Sequence, residues 1–315
     1  MVALVRATGA TFTESFATEP TAWRIWNPGA FGWDAEAQNL AVTWDSRETN
    51  AFFYYKLPTT VMRSDDFQVE FTLRLDDLTL GIDPTKNSTF PICIGFLNLH
   101  EAMRTNYFRG SGVNATTGAR SIAEFSYFAD SGFGATVGTE MVSTNNQFAY
   151  SHTFPVELAI GQTYRVKMSF EAATQVLSTE ILHNGEPYGE PPNNTIHPLN
   201  YTSNFGDFEI DAFSITTYSG AGQSPQYAGS VLAHGMVDDV VITWPDPPIK
   251  TIQGFREGNK WVVRFGPMGS WIYSLERTAD FQTWTEVASG TGVSELADDN
   301  PPAEESFYRV SARRQ

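Results

Sequence analysis

Residues 164–185, YRVKMSFEAATQVLSTEILHNG, constrain the fold more than any other stretch. Tyr164, Val166, Met168 and Phe170 fall on one side of an extended chain, and Arg165, Lys167, Ser169 and Glu171 fall on the other. That period of two is the signature of a half-buried strand. A turn at 172–174 and a second β-prone run at 176–182 follow. Asn184-Gly185, the dipeptide that takes positive φ most readily, then reverses the chain again. The segment therefore reads as a two-stranded unit of a β-sandwich.

The rest of the chain repeats the pattern. Runs rich in Val, Thr, Phe and Tyr at 12–16, 40–44, 51–57, 67–75, 90–97, 122–128, 208–217 and 237–243 are broken by Gly, Asn, Asp and Pro, the punctuation of strands and turns. With 25 Gly and 17 Pro in 315 residues and no long amphipathic helix, an all-β class follows. Only residues 98–108 could hold a helical turn. Number and spacing suit two stacked antiparallel sheets.

A boundary falls at WPDPPIK, where three prolines in four residues stiffen the chain. Residues 1–245 form one expected domain, 246–250 a Pro-rich linker and 251–315 a small β-domain. Its strand candidates lie at 261–265, 271–277, 284–287 and 307–310, with a turn at 266–269. The small domain carries 7 basic and 9 acidic side chains, which leaves 13 and 27 for residues 1–250. Acidic character, and any cation chemistry with it, belongs to the large domain.

A net charge of −16 excludes nucleic acid and anionic membrane as partners, since both are repelled and no basic stripe offsets the field. Cys93, the single cysteine, lies in an apolar run and is expected to be a buried, inert thiol. The opening MVALVRATGATF is too short and interrupted for a signal-peptide core or a membrane span, so either an export signal has been removed or the protein is cytoplasmic.

The order FTESF, Trp23, NLAVTWDS, DDFQVEFTLRL, YRVKMSF with its NG turn, and MVDDVVITWP resembles the concanavalin A-like jelly roll over residues 11–245. WIYSLERTADFQTWTEV with SFYRVSARR resembles the small β-domain that ends many secreted proteins of Verrucomicrobia-type bacteria. The first resemblance implies glycan binding on a concave sheet face and often a structural calcium ion. The second implies export, with an extracellular or cell-surface location.

First and last strands of that superfamily run side by side, which makes Glu14 and Asp239 the candidate calcium ligands. Calcium takes six to eight oxygens, so two carboxylates need further help. Adjacent Asp238 and Asp239 point to opposite faces, and only one of them can serve. Five scattered histidines lack zinc-ligand spacing.

Laminarinase-type glycosidases of this superfamily carry Glu-x-Asp-x-Glu on one strand. Here Glu209-Ile210-Asp211-Ala212-Phe213-Ser214 begins that pattern without finishing it, so the second carboxylate would have to come from Glu124 or Glu70. Serine-elbow and phosphate-loop motifs are absent. Asp130, in a glycine-rich loop, suits turn capping or a ligand hydroxyl.

Aromatic rings are the remaining candidates, because a flat apolar surface beside polar groups matches a pyranose. Trp23, Trp26, Phe31 and Trp33 crowd one segment, while Tyr54, Tyr55, Tyr107, Phe108, Tyr127 and Phe128 are spread over others. The leading expectation is a carbohydrate-binding protein that recognises a polysaccharide or surface glycan through Trp26, Trp33, Tyr55, Arg74, Glu124, Tyr127 and Lys167. The alternatives are a glycoside hydrolase or polysaccharide lyase using Glu124, Glu209 and Asp211, and a self-associating surface-assembly protein.

Overall fold

A computed structural model describes residues 9–86, 89–109, 118–189, 193–196, 204–220, 229–245, 249–267, 271–303 and 306–314. The chain divides into two compact units, Met1–Pro245 and Asp246–Gln315. Strands dominate both.

In the large unit the strands begin with β1 (Gly9–Glu14), β2 (Arg24–Trp26), β3 (Phe31–Asp34), β4 (Asn39–Asp45), β5 (Ala51–Val61), β6 (Phe67–Leu80) and β7 (Ile92–Leu97). One helical turn, α1 (Leu99–Ala102), is capped by Asn98, whose side chain accepts the Glu101 N–H at 3.1 Å. Next come β8 (Ile122–Phe128), β9 (Thr136–Val142), β10 (Phe148–Thr153), β11 (Thr163–Glu171) and β12 (Val176–His183). The series ends with β13 (Glu186–Pro187), β14 (Asn193–Ile196), β15 (Ile210–Thr217) and β16 (Val231–Pro245).

Two antiparallel sheets stack to form an all-β sandwich of jelly-roll type. One follows the order β13-β12-β11-β6-β16-β4-β3, with β1 added on β16 and β14 on β12. The other follows β10-β9-β8-β7-β15-β5-β2. The opening hairpin is β11 and β12, paired from Tyr164 opposite His183 to Glu171 opposite Val176, and Asn184 and Gly185 take the positive φ their turn needs. Tyr164, Val166, Met168 and Phe170 are buried between the sheets, while the alternate residues are half-buried on the outer face.

The seven-stranded sheet behaves differently. Strands β7, β8 and β9 are buried at every position, so both of their faces are covered. Phe125, Ile94, Phe96 and Phe213 belong to the core between the sheets, where Phe96 meets Phe67 and Phe213 edge-on at 5.0 and 5.5 Å. Cys93 is fully buried on the opposite face, its thiol pKa raised well above the usual value by burial and then by the charge of Glu124.

The small unit pairs β17 (Ile249–Glu257), β18 (Lys260–Pro267) and β21 (Glu295–Asp298) in one sheet. A second sheet holds β19 (Trp271–Thr278), β20 (Thr285–Thr291) and β22 (Phe307–Arg314) in the order β20-β19-β22. Val263, Phe265, Tyr273, Leu275 and Leu296 form its own core. Strand β17 begins inside the stretch expected as linker, whose residues 246–248 lie outside the described residues, as do residues 268–269 of the expected turn.

Candidate functional site

Register determines what shares the outer face of the seven-stranded sheet, since directly paired residues point the same way. One row runs Tyr54, Ser214, Gly95, Glu124, Glu140 and Tyr150 across β5, β15, β7, β8, β9 and β10. The next runs Trp26, Phe52, Thr216, Cys93, Ser126, Gly138 and His152. A polar stripe results, with aromatic rings towards both margins.

The segment after α1 fills the middle of that face. Arg109, fully buried, lies between Glu124 and Glu140 and bonds both carboxylates. Ser126 Oγ donates to Glu140 Oε1 at 2.9 Å, His152 Nε2 lies 3.1 Å from the same oxygen, and the Tyr218 hydroxyl donates to Glu124 Oε2 at 3.1 Å. Burial, the largest single influence, opposes the charge on Arg109, but the charge and hydrogen bond of Glu124 together with Cys93 and Tyr218 outweigh it and raise the guanidinium's pKa. Burial, then the charge of Arg109, lowers the His152 imidazole to about 4. Gly138 makes room for this group, because a Cβ there would lie 2.8 Å from the His152 ring.

Glu124 therefore sits in a closed ion-pair network rather than on an open face. Its expected roles as sugar ligand and as catalytic acid call for an exposed carboxylate, whereas the Glu124 side chain is buried and paired with Arg109. Asp211 ties α1 to β5 instead, accepting the Leu99 N–H at 2.9 Å and pairing with Lys56. Glu209 precedes β15, exposed, with its carbonyl bonded by Asn98 Nδ2 at 2.8 Å. Ser214, the β15 residue in the Glu124 row, lies three positions beyond Asp211, roughly 10 Å along a strand. The three acids do not form a catalytic set, and the carboxylate that faces Glu124 is Glu140.

The other expected ligands are dispersed. Arg74 and Lys167 lie on β6 and β11, on the outer face of the other sheet, where Arg74 pairs with Asp76 at 2.6 Å. On the same face Arg165 lies 3.2 Å and Lys167 4.0 Å from Glu70. Tyr127 points into the core, and its buried hydroxyl accepts the Leu158 N–H at 3.2 Å. Tyr55 stacks on Phe12 at 3.9 Å between the sheets. Trp33 is half-buried and donates its indole N–H to the Phe16 carbonyl at 2.8 Å. Trp26 alone of the set is open on the outer face, 42% exposed at the β2 margin.

Glu14 and Asp239 do come close, as β1 pairs with β16 so that Glu14 faces Val240. The donor set does not fit a calcium cage. Glu14 spends one oxygen on the Phe16 N–H at 2.9 Å and the other on the Trp23 indole at 3.2 Å. Asp238 accepts the Asp239 N–H at 2.7 Å, in a β16 irregularity where Asp239 adopts φ 47°. Among the described residues no group of three or more His, Cys, Asp or Glu side chains gathers around a common point. Asp130 caps its own turn, accepting the Gly132 N–H at 2.9 Å.

What residue-by-residue reading missed is β10. Phe148, Tyr150 and His152 alternate along this terminal strand on the outer face, with ring centroids 5.4 and 5.0 Å apart. Phe154, 53% exposed just beyond the strand, continues the series and meets the 75% exposed Phe133 of the β8–β9 turn at 5.6 Å. Arg109 lies 5.6 Å over the Phe148 ring at the inner end. The signal was present as FAYSHTF, aromatic at every second position.

No family model matches the chain, and no curated protein sequence matches it. Among solved structures, several lectins are similar to the chain at low identity. Peanut lectin with a bound 9mer peptide is similar at 14% identity and a TM-score of 0.46, covering 76% of this chain and 99% of that one. The Lotus tetragonolobus seed lectin matches at 9% identity, TM-score 0.46, over 75% and 98% of the two chains. Lectin II from Ulex europaeus matches at 9% identity, TM-score 0.44, over 76% and 100%.

Proposed function

We propose that the large unit is a carbohydrate-binding, lectin-like module that holds a polysaccharide along the β10 margin of its seven-stranded sheet. One observation carries the reading: Phe148, Tyr150 and His152 present their rings on a single outer face, with the exposed pair Phe154 and Phe133 just beyond the strand's end. The C–H faces of a pyranose stack on such rings, and the polar stripe beside them offers hydrogen-bond partners. Trp26 lies six strand spacings away on the same face, about 29 Å, too far to share a sugar with the ladder. It belongs to a separate contact if the polymer extends that far.

Binding is favoured over catalysis because Glu124 and Glu140, the two facing acids, are buried and both paired with Arg109. This reading suits an extracellular or cell-surface setting and needs no calcium, given how Glu14 is engaged. Titration of the full chain against a polysaccharide panel, with and without chelator, tests it. Tyr150→Ala with Phe154→Ala should weaken binding at least tenfold, about 1.4 kcal/mol. Unchanged affinity in that variant would remove the basis for the reading.

A further inference from the structure

The outer face of the small unit's β20-β19-β22 sheet carries a second set of rings. Tyr308 and Val310 of β22 pack against the small core, so their neighbours Phe307 and Arg309 point outwards. Phe307 faces Thr278 of β19 and Arg309 faces Glu276. Trp284, just before β20, lies beneath the Arg309 guanidinium at 4.0 Å, and Arg309 Nε donates to Glu276 Oε2 at 2.7 Å. Phe281, 58% exposed, meets Phe307 at 4.1 Å and Trp284 at 6.3 Å.

Phe281 is held out by design of its turn. Thr278 Oγ1 accepts the N–H groups of Asp280 and Phe281 at 3.2 and 3.0 Å. Asp280 Oδ1 accepts those of Gln282 and Thr283 at 2.9 Å each. These four bonds hold Phe281 at φ 59°, a left-handed conformation.

Area decides what fits. With Phe281 58% and Phe307 37% exposed and Trp284 half-buried, the rings offer on the order of 200–300 Å². A stable protein partner needs about 800 Å² per side. Glu276 and Asp280 beside the rings disfavour an anionic lipid surface, and the Arg309 guanidinium supplies donors for hydroxyl groups. We infer that this face is a second platform for a neutral polysaccharide, one or two sugar rings wide, which makes the chain bivalent. The platform itself does not depend on the β10 reading, whereas the bivalence rests on it.

The test is affinity electrophoresis and pull-down of the full chain on cellulose, chitin, xylan, β-1,3-glucan and galactomannan. Phe281→Ala with Trp284→Ala should cut apparent affinity for at least one polymer tenfold or more, because losing one of two linked sites removes avidity. Phe281→Ser alone, at an exposed position, gives a milder loss and guards against unfolding, with calorimetry confirming the fold. Wild-type affinity in both variants on every polymer that the wild type binds overturns the inference. Loss confined to Tyr150→Ala with Phe154→Ala overturns it while leaving the β10 reading standing, and loss confined to the Phe281 variants does the reverse. No binding by the wild type overturns both.

Discussion

Arg109 is the residue on which the outer face of the seven-stranded sheet depends. It brings one positive charge to two buried carboxylates, Glu124 and Glu140, and among the described residues its Nη1 finds no hydrogen-bond partner. Removing it would strand both acids where water cannot reach them, the costly half of the buried ion-pair asymmetry. Arg109→Ala should therefore lose about 3–5 kcal/mol in urea denaturation, a fall on the order of 10 °C in midpoint for a unit of this size. His152 gives the cluster a pH signature. Its folded pKa lies near 4, through burial and then the charge of Arg109, against about 6.5 in the unfolded chain. Between those values the unfolded state binds the extra proton, so stability rises with pH across that window and is lost as pH falls through it. The contribution is on the order of 3 kcal/mol at most. Comparing wild type with His152→Gln at pH 7 and pH 4.5 isolates it, and a difference that does not change with pH would contradict the assignment.

At the scale of elements, β9 and β10 explain both the site and why it was hidden. Thr136–Val142 mixes Thr, Gly and Glu with apolar residues and is buried throughout, so it shows no alternation to read. Its Gly138 lets Ser126, Glu140 and His152 close into one group, and a methyl there would collide with the Ser126 hydroxyl and the imidazole. Gly138→Ala should cost about 1–3 kcal/mol by overpacking, seen as a lower urea midpoint with an unchanged slope. The element that did declare itself is the β11–β12 hairpin. Its one-sided burial matches the alternation residue for residue, and its polar face carries the Arg165–Glu70–Lys167 ion pairs on the other sheet. Those residues are consequently separate from the aromatic ladder.

The whole molecule is two units with separate cores, one spanning both sheets of the sandwich and one built around five buried side chains. A unit as small as 246–315 buries little surface per residue and is only marginally stable. Calorimetry should show two transitions, the smaller at lower temperature. A chain ending at Pro245 should keep the larger transition and lose the smaller. A single cooperative transition in the full chain would argue that the cores are not independent.

Legible in the sequence were the β class, the turn at Asn184-Gly185, the buried Cys93 and the acidic bias of residues 1–250. Each is a local property, set by side-chain period, backbone preference or charge count. Only the tertiary structure decided which face each strand residue joins. Period two says that Glu124 and Ser126 share a face, but in a sheet covered on both sides it does not say which face, nor that Glu140 lies opposite and Arg109 between them. It likewise left open that Arg74 and Lys167 belong to the other sheet. Those relations depend on long-range register and on where a loop is laid across a sheet, and no window of neighbouring residues encodes either.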